Sequence, residues 1–419
     1  MTVLTFSGLP GRSGELTWGQ RWIWDIMGEL APHESRINNR AVVPLPAGTT
    51  LSEVLTGLGV LVRDHESLRT RYFEEPDGEL RQVVESSGEI PVEIDSDSPQ
   101  ELQARLLTRP FRLGHDFPLR PGVVVAQGVA THLVLVIWHL STDGWSTTRL
   151  KRLAVQAVLG EEQEPAPQPL DHDQSARGER ALRYWRAQLE KAPRTMFPDP
   201  PVTPREPRFW NAVLRSPALA RDTRALAERL QSTVAGVLLA ATALLLGARS
   251  QQDAAAVRLV VGNRADPEIR RMVGCVVQDG VAVLDLSENS FAALVKRAWL
   301  TSMSAYKNGQ YDPRLVRELI DDIGVDLSCA FNFHDWDEPV SDVTPEGPSE
   351  FNWSEKLEWN NVKFYLHVVA ESDAVSLELH TDTAHLPPDQ TELFLRGVER
   401  LVAAAATGED DTAALLSRS

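Results

Sequence analysis

A histidine in the first half of the sequence stands where its imidazole could do acid–base chemistry. Leu133–Trp138 is an apolar run with the composition of a strand, and it delivers His139 to the strand's end. Ser141–Gly144 then turn the chain into a helix. A histidine with an ordinary pKa of about 6.5 is largely neutral at pH 7, so it can accept a proton or a hydrogen bond from an attacking amine or hydroxyl. His139 is therefore the candidate catalytic residue.

The plainer interpretation of His139 is a core or helix-capping histidine, which a lone histidine after an apolar strand more often is. A hydrolytic triad is a poor interpretation, because no Gly-Xaa-Ser-Xaa-Gly elbow occurs near His132, His139 and Asp143. The pattern around the histidine has to decide between catalysis and structure.

The Trp-His-Leu-Ser-Thr-Asp-Gly sequence of Trp138–Gly144 resembles the His-His-Xaa-Xaa-Xaa-Asp-Gly signature of nonribosomal peptide synthetase condensation domains. Other segments resemble motifs of the same family in the same order, so the resemblance spans nearly the whole chain. These segments are Leu16–Trp24, Arg63–Phe73, Phe117–Pro121, Leu182–Leu189, Val261–Arg264 and Met272–Val277.

The resemblance implies an α/β protein made of α+β two-layer sandwiches: two chloramphenicol-acetyltransferase-like lobes in a V arrangement with a central tunnel. It implies a condensation-type acyltransferase that forms an amide or ester in nonribosomal peptide or related natural-product biosynthesis. The donor is an acyl thioester on the phosphopantetheine arm of a carrier protein, acyl or peptidyl. The acceptor is an amine or hydroxyl on a small molecule or a second carrier.

No bound cofactor or metal is expected, because a thioester is already activated and the protein need supply only orientation and electrostatic stabilisation. No adenylation or carrier module accompanies the matched motifs, which predicts a free-standing condensation enzyme.

By motif position, the resemblance assigns His139 to positioning and deprotonating the acceptor, and Asp143 to a structural pair with an arginine. Arg264 is the candidate partner, and the alternative is an ordinary exposed arginine in a turn. Gly144 precedes a helix, so its amide could face the tetrahedral oxyanion. A plain turn glycine is the alternative for that position.

Trp138 stands where the family signature has its first histidine, and Val277–Asp279 replaces a Val-Asn-Thr segment. Because side chains alternate along a strand, we expect Trp138 to fill a core on the face opposite His139. The same departure supports a rival function, a noncatalytic domain of this fold that recruits carrier proteins or tailoring enzymes. A second rival is an acyltransferase that uses coenzyme A as donor.

The elements that must position these residues follow from length and periodicity. A chain of 419 residues exceeds what one hydrophobic core usually supports, which predicts two lobes. The Glu- and Pro-dense stretch Gly160–Pro169 is the predicted linker, so we place an N-terminal lobe with the active-site motif at 1–170 and a C-terminal lobe at 171–419. Apolar spacing predicts an amphipathic helix over Trp18–Leu30 and a buried helix over Val234–Ala248.

The other predicted elements mix helices and strands in both lobes. The predicted helices are Trp145–Leu159, Ala181–Leu189, Asp222–Leu230 and Asp389–Ala405. The predicted strands are Arg71–Phe73, Arg81–Val84, Val123–Ala126, His132–Trp138, Val257–Val261, Cys329–Phe333, Lys363–Val369 and Val375–His380.

Composition excludes several kinds of partner. A formal net charge of −17 repels nucleic acid and anionic membrane, so neither is expected as a partner. The two cysteines, Cys275 and Cys329, supply no disulfide framework or zinc site and are expected to be buried, reduced thiols. The amino terminus lacks a secretory signal and the longest apolar run is too short to span a bilayer comfortably, which predicts a cytoplasmic protein.

Overall fold

The computed structural model describes residues 2–76, 78–96, 98–172, 174, 177–335 and 346–419. The chain forms two compact units. Unit 1 comprises Met1–Ala176 and Gly262–Gln278, and unit 2 comprises Arg177–Val261 and Asp279–Ser419.

The division differs from the predicted boundary of 1–170 and 171–419 in one substantial respect, because 262–278 belongs to unit 1. The physical reason is hydrogen bonding. Thr17 Oγ1 donates to the carbonyl of Cys275, and Ser146 Oγ donates to the carbonyl of Gly274. A segment whose backbone polar groups are satisfied by one unit belongs to that unit's core.

Unit 1 is built on a five-stranded sheet of order β1-β6-β7-β8-β3 and a three-stranded sheet of order β2-β5-β4. Strands β6 and β7 run parallel, whereas β7 and β3 both pair antiparallel with β8. The strands are β1 (Thr2–Phe6), β2 (Arg12–Glu15), β3 (Asn39–Pro44), β4 (Thr70–Glu74), β5 (Leu80–Val84), β6 (Gly88–Asp95), β7 (Leu119–Ala126) and β8 (Val129–Ile137). The helices are α1 (Trp18–Leu30), α2 (Leu51–Asp64), α3 (Pro99–Leu107), α4 (Gly144–Val158) and, from the second segment, α8 (Pro267–Arg271).

Strand β8 is buried on both of its faces, which explains its continuous apolar run. Leu133 and Leu135 pack with Leu150 of α4 in one core, and Val134 packs with Leu102 of α3 in another. A strand held between two cores is a rigid support for the residues that follow it.

Unit 2 contains a seven-stranded mixed sheet of order β11-β10-β12-β14-β15-β9-β13. Its strands are β9 (Phe209–Ser216), β10 (Ala254–Val261), β11 (Gln278–Asp285), β12 (Cys329–Asp335), β13 (Glu350–Leu357), β14 (Phe364–Ala370) and β15 (Val375–Asp382). Its helices are α5 (Gly178–Leu189), α6 (Pro217–Arg229), α7 (Val234–Ser250), α9 (Phe291–Lys307), α10 (Pro313–Ile323), α11 (Pro388–Ala406) and α12 (Thr412–Arg418).

The two faces of this sheet differ in chemistry. On one face, alternate residues such as Phe364, Leu366 and Val368 of β14 share an apolar core with α6, α7, α9 and α11. On the other face, α5 and α10 cover Ala256 and Val281 at the β10–β11 end. Because side chains alternate along a strand, Tyr365 and the residue two beyond it lie on this second face of β14.

Several predicted elements are confirmed by these bounds. Helix α1 spans Trp18–Leu30 as predicted, and Thr17 and Gln20 form a capping box at its start. The predicted apolar helix is α7, most of whose residues are buried. Cys275 and Cys329 are buried and free of disulfide bonds, as expected.

One predicted helix begins too late, because α6 starts at Pro217 rather than at Asp222. The missed signal was Ser216, which directly precedes a proline at the first helical position. Its side chain accepts a hydrogen bond from the Leu219 amide and so caps the helix. Within the described ranges, no single helix has the length and apolarity needed to cross a membrane, while α6 and α7, bent by 105°, meet those criteria as a pair.

Gly19 in α1 lies against the backbone of the second segment of unit 1. A Cβ atom at Gly19 would lie 2.7 Å from the Cα atom of Val276.

We expect Gly19→Ala to lower the free energy of unfolding by about 1–3 kcal/mol, as overpacking does. Gly28 in the same helix is the matched control, since a Cβ there meets nothing within 4 Å and alanine should stabilise by roughly 0.5–1 kcal/mol. Urea unfolding of both variants measures this; equal effects of the two substitutions would contradict the close approach.

Candidate active site

His139 lies two residues beyond the end of β8 at Ile137, in a turn whose backbone is held by two consecutive asparagines. The His139 amide donates to Asn38 Oδ1 at 3.1 Å. Asn39 Nδ2 donates to the carbonyl of Thr142 at 2.7 Å. These bonds fix both ends of the turn that carries the imidazole.

The side chain of His139 is half-buried, and its environment is partly dehydrated. Burial lowers its pKa below the ordinary value, although the carbonyls of His139 and Thr142 and the charge of Asp143 favour the protonated form. Its Nδ1 atom is buried and makes no hydrogen bond with the part of the chain that the structure describes. The ring is therefore neutral at pH 7 and able to accept a proton.

Asp143 and Arg264 form the predicted ion pair. Arg264 Nη2 lies 2.9 Å from Asp143 Oδ1 and 2.8 Å from Oδ2, and the exposed fractions of the two side chains are only 3% and 4%. The Asp143 carboxylate also accepts the amide of Ser146 at 2.8 Å, as the N-cap of α4, and the amide of Val276 at 3.2 Å. With these four hydrogen bonds, the Asp143 carboxylate points into the protein interior.

Arg264 is also the centre around which 262–278 folds. Its Nη1 atom donates to the carbonyls of Ile269 and Met272, at 2.7 and 2.8 Å, and Nη2 lies 3.0 Å from the carbonyl of Gly274. The alternative of an exposed arginine in a turn is therefore wrong.

Trp138 is buried in an aromatic cluster. Its indole stacks on Phe111 with ring centroids 5.3 Å apart and meets Tyr72 edge-to-face at 5.4 Å. Trp138 and His139 lie just beyond the end of β8 at Ile137, where the sequence had placed Trp138 inside the strand. The Trp138 amide nevertheless donates a hydrogen bond to the carbonyl of Pro118. Trp138 fills a core, and its bearing on a reaction stays a prediction.

A hydrogen-bond chain joins three motifs that are far apart in the sequence. Tyr72 Oη lies 2.7 Å from Ser141 Oγ, and Gln20 Nε2 donates to the same phenol at 3.2 Å. Gln20 Oε1 in turn accepts the amide of Thr17 at 2.7 Å. Sequence reasoning placed the motifs in order but missed these contacts, because they join residues that are far apart in the sequence.

Gly144 is the first residue of α4 and is half-buried. Amides in the first turn of a helix have no partner within the helix, so they are available to an anion. Stabilisation of an oxyanion by Gly144 stays a prediction.

Comparison with solved structures gives the class of fold. The chain matches a structure described as the molecular basis for condensation domain-mediated chain release from the enacyloxin polyketide synthase, with a TM-score of 0.74 and 20% identity over 94% of this chain and 82% of that one. It matches the complex of the X-domain and OxyB from teicoplanin biosynthesis with a TM-score of 0.68 and 16% identity, over 97% of this chain and 95% of that one. The protein thus has the α/β, chloramphenicol-acetyltransferase-like fold of condensation domains.

The family is shown by the sequence itself. Residues 15–407 match the Condensation domain family, and the chain belongs to that family. Isonitrile lipopeptide synthase of Mycobacterium tuberculosis is 27% identical over 330 residues, which cover 70% of this chain and 13% of that protein. The chain spans only a small part of the curated relatives it matches, so their whole-protein activities do not transfer to it directly.

The buried ion pair yields a stability prediction. Asp143→Ala and Arg264→Ala should each lower the free energy of unfolding by about 3–5 kcal/mol, because each leaves a buried charge without its partner. The double variant should cost less than the sum of the two. Urea unfolding followed by tryptophan fluorescence measures the cycle.

The control for this cycle is Arg63→Ala, which removes an exposed ion pair with Asp64 and should cost less than about 1 kcal/mol. Wild-type stability of Asp143→Ala together with loss of activity would show that the carboxylate acts in the chemistry rather than in the fold.

Proposed function

We propose that the protein transfers an acyl group from a thioester on the phosphopantetheine arm of a carrier protein to an amine or hydroxyl acceptor, free or carrier-bound. The product is an amide or ester in nonribosomal peptide or related natural-product biosynthesis. Membership of the condensation domain family supports this choice, since such domains in nonribosomal peptide synthetases act on carrier-bound substrates.

The observation that carries the proposal is the imidazole of His139, whose pKa is lowered by burial and whose backbone amide is held by Asn38. The acceptor's lone pair attacks the thioester carbonyl carbon, and the imidazole takes the proton from the attacking atom. The tetrahedral intermediate then expels the thiol sulfur, which takes up a proton and leaves the acyl group on the acceptor.

Removing the imidazole should separate binding from chemistry. His139→Ala should keep the fold and carrier affinity but lose roughly 10²- to 10⁴-fold in product formation. His132→Ala, at a half-buried position within β8, is the matched control and should retain activity.

The assay loads a carrier protein with candidate acyl groups, adds candidate amines and alcohols, and quantifies products by mass spectrometry. Equal turnover by His139→Ala and the wild type would remove His139 from the mechanism.

The lowered pKa of His139 predicts the pH dependence of the rate. The reactive form is the neutral imidazole, and a lowered pKa retains that form as the pH falls below the ordinary histidine value. We therefore expect the acid limb of kcat/KM to have its midpoint below about 6.5. A rate profile from pH 5 to 9, at roughly half-unit steps, measures it; a midpoint above the ordinary histidine value would contradict the dehydrated environment.

Two other functions are separated by the same assays. Trp138 in place of the signature's first histidine favours a recruitment domain, and the structurally similar X-domain was solved in a complex with OxyB. Tight binding of carriers or tailoring enzymes with no turnover across the donor screen would favour recruitment. Turnover with acyl-coenzyme A but with no carrier-bound donor would favour a coenzyme A-dependent acyltransferase.

A further inference from the structure

Unit 2 contains a cavity of about 120 Å³ that is lined by none of the residues assigned to acyl transfer. It is bounded by the segment 197–202, by Arg249 in the last turn of α7, and by 384–390, where β15 connects to α11. An engineered apolar cavity of about 150 Å³ holds a benzene molecule, so this one has room for a smaller organic molecule. We call it the Arg249 cavity.

The walls of the Arg249 cavity are joined to one another by hydrogen bonds. The Val202 amide donates to the carbonyl of Ala384 at 2.8 Å. Arg249 Nη2 donates to the carbonyl of His385 at 2.7 Å and to Gln390 Oε1 at 3.0 Å. These bonds connect all three bounding segments, so the cavity is formed before any ligand binds, as small-molecule sites usually are.

Arg249 brings a permanent positive charge to the cavity. Arginine stays protonated in folded proteins, so this charge does not depend on pH. Its guanidinium carbon lies 5.4 Å from the centre of the Phe197 ring, and burial lowers its pKa because the charged form is partly dehydrated. Among the described residues, no carboxylate forms an ion pair with Arg249. A partly dehydrated cation without a counter-charge is stabilised by an anionic ligand.

A purely structural arginine is the ordinary alternative. The two bonds of Nη2 tie the end of α7 to the connection before α11, and that role needs no ligand. It does not explain Arg249 Nε, which is buried and has no hydrogen-bond partner in the part of the chain that the structure describes. Nor does it explain why the charge lies beside an open cavity. An unused buried donor in a folded protein calls for a further explanation.

The other charges near the cavity are paired or absent. Burial lowers the pKa of His385, so its ring is neutral at pH 7. The charges that act on this ring come from two ion pairs, Arg208 with Asp382 and Lys363 with Asp326, each 2.7 Å long. Within each pair the two charges compensate each other, so neither pair supplies a counter-ion for the cavity.

Asp199 is a carboxylate that also lines the cavity, and its charge acts on Arg249. The side chain is exposed and forms no ion pair with the guanidinium, so solvent screens it. It still repels an anion, and it repels a dianion more strongly. Phe197 and Val202 offer apolar surface to a hydrocarbon chain. The lining therefore favours a ligand with a single negative charge and a short apolar chain.

We propose that the Arg249 cavity binds a small monocarboxylate of about three or four carbons. The Arg249 guanidinium holds the carboxylate, the chain lies against Phe197 and Val202, and Asp199 sets the preference for one negative charge over two. This site goes beyond the proposed acyl transfer, because all its lining residues belong to unit 2 and none lies in the motif around His139.

The test compares carboxylates with uncharged molecules of the same shape. Butyrate and butyramide, and in parallel propionate and propionamide, are titrated at constant pH and ionic strength into the wild-type chain labelled with ¹³C and ¹⁵N in its histidine rings. The His385 resonances should shift and saturate with the carboxylates, at affinities roughly ten- to a hundredfold above those of the amides. His367 of β14, which is not part of the lining, is the control resonance and should not shift.

Three variants assign the effect to the charges. Arg249→Gln should reduce butyrate affinity to that of butyramide. Arg229→Gln is the matched control, since Arg229 has the same charge and likewise donates to two backbone carbonyls, but on α6 and outside the lining; it should leave butyrate affinity unchanged. Asp199→Asn removes the repulsion and should raise butyrate affinity by roughly two- to fivefold.

Equal affinities for butyrate and butyramide, absence of a saturable shift at His385, or wild-type butyrate binding by Arg249→Gln would each overturn the proposal. An unchanged or weaker butyrate affinity in Asp199→Asn would overturn it as well. Should Arg249→Gln fail to fold, the carboxylate and amide pairs on the wild type and the Asp199→Asn variant decide. Because binding is measured without turnover, failure of this site leaves acyl transfer at His139 standing, and the reverse also holds.

Discussion

The buried pair between Asp143 and Arg264 is the interaction on which the candidate site depends. It connects the loop after β8, the first turn of α4 and 262–278 through one carboxylate. Burying two charges carries a large desolvation cost, which a single ion pair recovers only with further hydrogen bonds. Asp143 accepts two backbone amides and Arg264 donates to three carbonyls, so each charge has hydrogen bonds beyond the ion pair. The pair therefore fixes the relative positions of the loop after β8, the first turn of α4 and 262–278 more than it adds to stability.

The loop that carries the imidazole is held by groups that do not touch the ring. On one side the loop is fixed four residues later by Asp143, and on the other its amide is held by Asn38. Tyr72 and Ser141 add a third attachment inside the core. Buried polar networks are strongly orienting when every member is satisfied, since the alternatives leave a dehydrated group without a partner. Orientation of a catalytic group before substrate arrives removes an entropic part of the barrier.

The sequence predicted the elements that rest on local patterns and the residues that rest on a motif. Helix α1, helix α7, the position of His139 after a strand and the pairing of Asp143 with Arg264 belong to these. The roles of Asn38 and Tyr72 were not predicted, because their contacts depend on the order of strands in a sheet, which periodicity does not encode. For the same reason 262–278 was assigned to the wrong unit. The contacts of Glu378 with His367 and His380 were not predicted, because β14 and β15 bring these residues together only through their register.

The electrostatic environment of His139 constrains how an amine acceptor could react. An ammonium ion has no lone pair for attack, and His139 with its lowered pKa is a weak base toward the proton of such an ion. The nitrogen becomes far more acidic once it has bonded to the carbonyl carbon, because it then carries a positive charge beside an electron-withdrawing centre. A weakly basic imidazole can remove the proton of this more acidic nitrogen, whereas it removes the proton of a free ammonium ion poorly. Within the proposed function, His139 therefore acts on the tetrahedral intermediate, and its dehydration keeps it unprotonated until that intermediate forms.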